Sequence, residues 1–162
     1  MAPIIRQLGP ADRDAALAVI NTAAHWYQEF LPSAEVHDPE MTAEQWMAEA
    51  ARMTWHGVFV GDRLVGVIGL EYVRDAALIR HGYILPECQR QGIGNLLREH
   101  LETEVRGASR IIIGTYRGNF KARRHLEKAG YTPSPNPAFV LRTYYDIPED
   151  RFHSSLTYEK LL

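Results

Sequence analysis

The stretch Glu87–Leu97, "ECQRQGIGNLL", decides how the chain is read, because it sets Gly92 and Gly94 one residue apart between polar side chains and an apolar run. Before it, "AALIRHGYIL" predicts a strand ending at Leu85. After it, Ile93, Leu96, Leu97, Leu101 and Val105 recur at helical spacing. A strand, a glycine turn and an immediate helix together make an anion site. Glycines let the backbone approach a ligand, the first-turn amides point outward without partners, and the helix dipole favours negative charge there. The other reading of a lone G-x-G is an ordinary tight turn.

Two phosphate motifs are excluded by position. A P-loop needs Lys and Ser/Thr where Asn95 and Leu96 stand. A dinucleotide fingerprint needs a third glycine where Leu97 stands, inside a crossover unit rather than a meander.

The meander is read from what precedes the turn. Gly61-Asp62 separates two β-rich runs in "HGVFVGDRLVGVIGLEYV", and a third strand follows Arg74-Asp75. Farther upstream, "PIIRQL" predicts a first strand broken by Gly9 and Pro10. A helix follows on Ala16, Leu17, Ile20, Ala23 and Ala24, then an irregular aromatic and acidic loop, "HWYQEFLPSAEVHDPE". Thr42 and Gln45 form a capping box for a second helix carrying Trp46, Met47, Ala50 and Met53. Downstream, "RIIIGTY" predicts a strand, and Ala122, Leu126 and Ala129 a helix ended by Gly130. "TPSPNPAF" predicts a loop because its prolines oppose helix and central strand, and "FVLRTYYDI" and "HSSLTYEKL" predict two closing strands. The expected fold class is α/β (α+β), with a mixed, mostly antiparallel central sheet of about seven strands flanked by about four helices.

With 162 residues, 46% hydrophobic and 23% charged, the chain holds enough apolar material for one core, so a single domain over residues 1–162 is expected. A net charge of −2 with both signs interspersed gives no field for a phosphate backbone, so no nucleic-acid partner is expected. No apolar run reaches the roughly 18 residues of a membrane span, so no membrane partner is expected either. "MAPIIRQLGP" does not read as a signal peptide, and the lone Cys88 cannot form an internal disulfide, which points to the cytoplasm. The seven histidines show no H-x-x-x-H spacing, so no metal is expected.

The turn resembles the signature of the GNAT superfamily of acyl-CoA dependent N-acyltransferases, Gln/Arg-x-x-Gly-x-Gly/Ala, which Gln89-Arg90-Gln91-Gly92-Ile93-Gly94 matches. The resemblance extends to Asn119, Ala122, Gly130 and Tyr131 in the later helix and to the element order over nearly the whole chain. It implies acetyl-CoA as acyl donor and a small-molecule or peptide amine as acceptor, in a ternary complex. By the same resemblance, Gln91, Gly92, Ile93, Gly94 and Asn95 would hold the pyrophosphate through their amides, with Gln89 and Arg90 flanking it. Ile84 and Leu85 would pair with the pantetheine arm in strand fashion, and Asn119 would meet the arm near the sulfur. The other reading of Asn119 is a cap for the helix that follows it, and the two roles are compatible. Dimers are common in the family, so a homodimer is possible.

The resemblance also marks where this chain departs. The usual acid is a Tyr seven residues after the Asn, and Leu126 stands there. Tyr116, Tyr131, Tyr144 and Tyr145 are substitutes or packed aromatics. Arg80 and His81 interrupt a strand that the family buries on both faces, and alternation puts them on opposite faces. Arg80 reads as an anchor for a carboxylate, from the acceptor or from a side chain such as Glu71. His81 is the candidate base if a bulge turns it to the site; otherwise it is a hydrogen-bonded core residue. Tyr27 and Glu29, with His25, His37, Asp38 and Glu40, would bind or deprotonate the amine, or belong to a solvated loop face. A non-catalytic acyl-CoA binding or sensing module is the alternative that Leu126 keeps open.

Overall fold

The computed structural model describes residues 1–162, the side chain of Glu149 apart. In chain order the elements are β1 (Ile4–Gln7), α1 (Arg13–Ala23), α2 (Ala43–Ala50), β2 (Thr54–Val60), β3 (Arg63–Val73) and β4 (Ala76–Ile84). There follow α3 (Ile93–Glu104), β5 (Arg110–Tyr116), α4 (Phe120–Lys128), β6 (Thr132–Pro133), α5 (Pro137–Tyr144) and β7 (Ser155–Leu161). The seven strands form one mostly antiparallel sheet in the order β1-β2-β3-β4-β5-β7-β6. The expected meander is present. Gly61 (φ 62°) turns β2 into β3 and Arg74 (φ 52°) turns β3 into β4, both in the left-handed region that tight turns use. No helix is long and apolar enough to cross a membrane among the described residues.

The chain divides into two compact units. The first comprises Met1–Trp26, His37–Glu71 and Ile79–Arg106. Here β1 pairs with β2 (Ile5 opposite Val58), and β2 pairs with β3, with a register shift between Val58 and Phe59. The core draws Ala16, Val19 and Ile20 from α1, Trp46 from α2, Val58, Val65 and Val67 from the strands, and Leu97 and Leu101 from α3. Trp46 and Trp55 lie stacked, 5.5 Å apart and 6° from parallel, which fixes α2 over β2. The capping box starts α2 as its spacing predicts: Gln45 N–H donates to Thr42 Oγ1 (3.2 Å) and the Gln45 side chain accepts from Thr42 N–H (2.8 Å).

The second unit comprises Tyr27–Val36, Tyr72–Leu78 and Gly107–Leu162. Its core cluster joins Ala76, Leu78, Ile112, Val140 and Tyr144, and β5 pairs antiparallel with β7 (Ile113 opposite Tyr158). Two expectations are corrected here. "FVLRTYYDI" is not a strand: α5 covers most of it. Pro137 occupies the first helical turn, where a missing N–H costs nothing, and the Asn136 side chain accepts from Phe139 N–H at 3.1 Å. Val140, Leu141 and Tyr144 then share one buried helical face. "TPSPNPAF" is likewise more than a loop, since Thr132 and Pro133 pair with Glu159 and Tyr158 at the sheet's edge, the position a strand proline tolerates.

The cap is what turns a β-rich composition into a helix. Asn136→Ala is expected to lower stability by about 1 kcal/mol, measured by urea unfolding; Asn136→Asp should retain most of it.

Candidate functional site

The glycine turn is built from backbone. After β4 a single 3-10 turn (Pro86–Cys88) leads to Arg90 at φ 65° and Gly92 at φ 77°, and α3 opens at Ile93. Left-handed residues interleaved with right-handed ones can aim successive N–H groups into one concavity, and Arg90 and Gly92 supply two left-handed positions one residue apart. The first bond of α3 runs from Leu96 N–H to the Gly92 carbonyl (3.0 Å), and the amides ahead of Leu96 in that turn have no acceptor within the helix. Ile93 buries its side chain while Gln91, Gly92, Gly94 and Asn95 stay exposed, so the turn is anchored from behind and open in front. A Cβ at Gly92 would meet no atom within 4 Å, and one at Gly94 only the Ile84 side chain at 3.9 Å.

The backbone at the end of β4 already has partners within the chain. Leu85 N–H already donates to the Val65 carbonyl (2.9 Å), while the Ile84 carbonyl accepts from the Gln89 side chain (3.1 Å) and the Leu85 carbonyl from Cys88 N–H (2.9 Å). The Leu85 amide is thus committed to β3, and the Ile84 and Leu85 carbonyls each keep a second lone pair. Glu87, the acid nearest the turn, is paired with Arg63 at 2.7 Å. Asn119 belongs to the second unit and caps α4, its side chain accepting from Ala122 N–H at 3.2 Å.

The other chemistry sits on β4. His81 has φ 55°, a left-handed conformation rare for a non-glycine residue in a strand, and it breaks the alternation of the pleat. The expectation that Arg80 and His81 point to opposite faces is therefore corrected: both reach Glu49. Arg80 Nη1 donates to Glu71 Oε1 (2.7 Å) and Glu49 Oε2 (3.3 Å), and His81 Nε2 lies 3.6 Å from Glu49 Oε1, an ion-pair distance longer than a hydrogen bond. Arg52 closes the group, 2.9 Å from Glu49 and 3.9 Å from Glu71. The Trp55 ring lies 5.4 Å from the His81 ring. Two carboxylates thus face two guanidiniums, and His81 is the one member whose charge can change near neutral pH.

Burial by itself would raise the Glu49 carboxyl, but the approach of His81 and Arg52 and the charge of Arg80 outweigh it and hold Glu49 at about 2. For His81, burial is the largest influence and lowers its pKa; Arg80 adds to this, while Glu49 and Glu40 oppose it. Lowering the pKa from its ordinary 6.5 favours the neutral imidazole. Sequence reasoning missed Glu49 and Arg52 as parts of this cluster. The available signal was an acid in step with Trp46 and Met53, on the stripe of α2 that should be apolar.

The remaining candidates lie elsewhere. Tyr27 and Glu29 belong to the second unit, whereas Arg80 and His81 belong to the first. Tyr27 packs edge-on against Tyr116 (4.8 Å) and near Phe30 (5.8 Å), with Arg151 over its ring, and Glu29 is exposed. Leu126 is buried. Of the substitute tyrosines, Tyr144 donates to Asp75 (2.6 Å) and accepts from Arg110, Tyr116 accepts from Arg151 (2.8 Å), and Tyr131 is buried under Lys160. The hydroxyl of Tyr145 approaches the Cα side of Gly114.

Residues 20–131 match the family model described as acetyltransferase (GNAT) family. No curated protein sequence matches significantly. Among solved structures, the chain is similar to the PaiA N-acetyltransferase from Thermoplasma acidophilum in complex with coenzyme A (TM-score 0.80, 19% identity, 100% of both chains). It is also similar to the ribosomal-protein-S18-alanine N-acetyltransferase from Escherichia coli (TM-score 0.71, 18% identity, 99% of this chain and 94% of the other). An acetyltransferase from Streptococcus agalactiae matches at TM-score 0.74 and 19% identity, over 99% and 98% of the two chains. At such identities the likeness is one of fold.

Because Glu49 is held near 2 against an ordinary 4.5, its ionised form stabilises the fold above pH 4.5, by an amount on the order of 3 kcal/mol. That contribution is lost as pH falls through about 2. Glu49→Gln is expected to unfold at lower urea at pH 7 and to show a flatter fall in stability between pH 4.5 and 2. Urea titrations of both proteins at several pH values check this.

Proposed function

The chain belongs to the acetyltransferase (GNAT) family, and on that premise we propose that it is an N-acetyltransferase, moving an acetyl group from acetyl-CoA directly to a primary amine of a small molecule or peptide. The observation that carries the reading is the open nest at Arg90–Gly92 leading into the amides of α3. Its donors, its lack of a nearby unpaired acid and the open space at Gly92 fit a pyrophosphate. Gln91 to Asn95 would bind through backbone amides, with Gln89 and Arg90 at the flanks; a role for Asn119 near the sulfur rests on the family resemblance.

When bound, acetyl-CoA supplies an acyl group already activated as a thioester. The chain's own task is then to bind the amine and remove its proton. His81 is the base in this reading. The Glu49 carboxylate beside Nε2 favours a proton on that nitrogen and leaves Nδ1 with the basic lone pair. Arg80 is engaged with Glu71 and Glu49, so its proposed part in acceptor binding is to set the field around them. Tyr27 and Glu29 remain proposed acceptor contacts. A thiolate leaves without much help, so buried Leu126 in the place of a tyrosine is compatible with turnover. It is also the one observation that favours the alternative, a non-catalytic acyl-CoA binding module. Cytoplasmic location belongs to the same reading and rests on the lone cysteine.

Calorimetric titration with acetyl-CoA should show binding, and Gly92→Glu, which sets a carboxylate in the open space of the nest, should weaken it at least about tenfold. Unchanged affinity in a folded variant would overturn the assignment. Thiol release with a panel of amines separates enzyme from binding module.

His81→Gln should lower kcat by about 10²- to 10⁴-fold with coenzyme affinity unchanged. The base works when neutral and its pKa is lowered, so activity should fall with acid only below pH 6.5. Glu49→Gln removes an influence that raises the His81 pKa, so that acid limb should move to lower pH.

A further inference from the structure

His56, on β2, and His100 and Glu104, on the last turns of α3, bring one ligand atom each to within 4.8 Å of one another, all inside the first unit. We propose that these three side chains form a binding site for a divalent transition-metal ion, with Zn²⁺ as the representative ligand. The group is independent of the glycine turn and of the β4 cluster.

The geometry is close to what a metal needs. His100 Nε2 lies 3.0 Å from Glu104 Oε1, and His56 Nε2 lies 3.9 Å from Glu104 Oε2. Ligands about 2.1 Å from a tetrahedral ion sit about 3.4 Å apart. Closing the widest gap takes little more than 1 Å of movement, by that comparison. His100 and Glu104 can supply it, since their side chains are 34% and 43% exposed, while His56 is fixed by burial at 4%. Two imidazoles and a carboxylate form the donor set that suits zinc and its neighbours, with a fourth position left to solvent.

An ordinary ion pair one helical turn apart accounts for His100 and Glu104 but not for His56. That imidazole is buried, its Nδ1 has no hydrogen-bond partner among the described residues, and its Nε2 meets only the Thr54 hydroxyl (3.0 Å) besides Glu104. A buried polar ring with half its capacity unused is costly unless something completes it. A metal taken by the ring would tie the end of α3 to β2; on Nδ1 it would give that unpartnered nitrogen its ligand, and on Nε2 it would replace the Thr54 contact. An H-x-x-x-H pair would place two histidines on one helix. Here the donors come from a strand and a helix, which no spacing along the sequence reports.

The test uses the full chain after dialysis against a chelator. Titration with ZnCl₂ should show one equivalent bound and a raised melting temperature, because a ligand of the native state alone stabilises it. His100→Ala and Glu104→Ala alter partly exposed side chains and should fold; each should weaken zinc binding by more than about 100-fold, beyond the loss of an outer hydrogen-bond partner. Cobalt(II) should give the intense visible bands of a four-coordinate site in the native chain and lose them in His100→Ala. No stoichiometric binding by the native protein, or binding unchanged in both variants, would overturn the proposal. Neither outcome bears on acetyl-CoA binding.

Discussion

The first unit is organised around one electrostatic constraint, the charge of Arg80 buried on a central strand. An uncompensated buried charge costs several kcal/mol, more than most single contacts contribute, so its partners must be held in place. Glu71 meets it from β3 and Glu49 from α2, with Arg52 balancing the second carboxylate. This requirement fixes where α2 ends relative to β4. The stacked Trp46 and Trp55 meet the same requirement through packing, since they seat α2 on β2 beside the His81 ring.

The left-handed residue at His81 is the second half of that arrangement. Regular pleating would send Arg80 and His81 to opposite faces, and only one could meet Glu49. The strain of a non-glycine residue at φ 55° is offset by what surrounds it: a carboxylate near one nitrogen and an indole against the ring. The result is an imidazole beside a fixed negative charge in the core of the first unit.

Legibility in the sequence followed the range of each interaction. Gly61-Asp62, Arg74-Asp75, Thr42 with Gln45, and the glycine turn all act within a few residues, and each was readable. "FVLRTYYDI" was misread because its β-branched and aromatic side chains carry strand propensity, while the deciding features were a cap at Asn136 and a buried stripe on Val140, Leu141 and Tyr144. Propensity is a weak prior, and a cap plus burial overrides it. Glu49 stayed hidden for another reason. A lone acid in an apolar stripe announces a buried partner without saying which residue it is.

By itself the sequence determined the meander, the helix starts, the turn with two glycines and, through them, the family. These depend on backbone conformations that a few neighbouring residues dictate. Only the tertiary structure decided that His81 joins Arg80 at Glu49, that Leu85 has spent its amide on Val65, and that His56 meets His100 and Glu104. Each of those pairs elements far apart in the chain, and burial and charge compensation in the folded core, rather than local propensity, choose the partners.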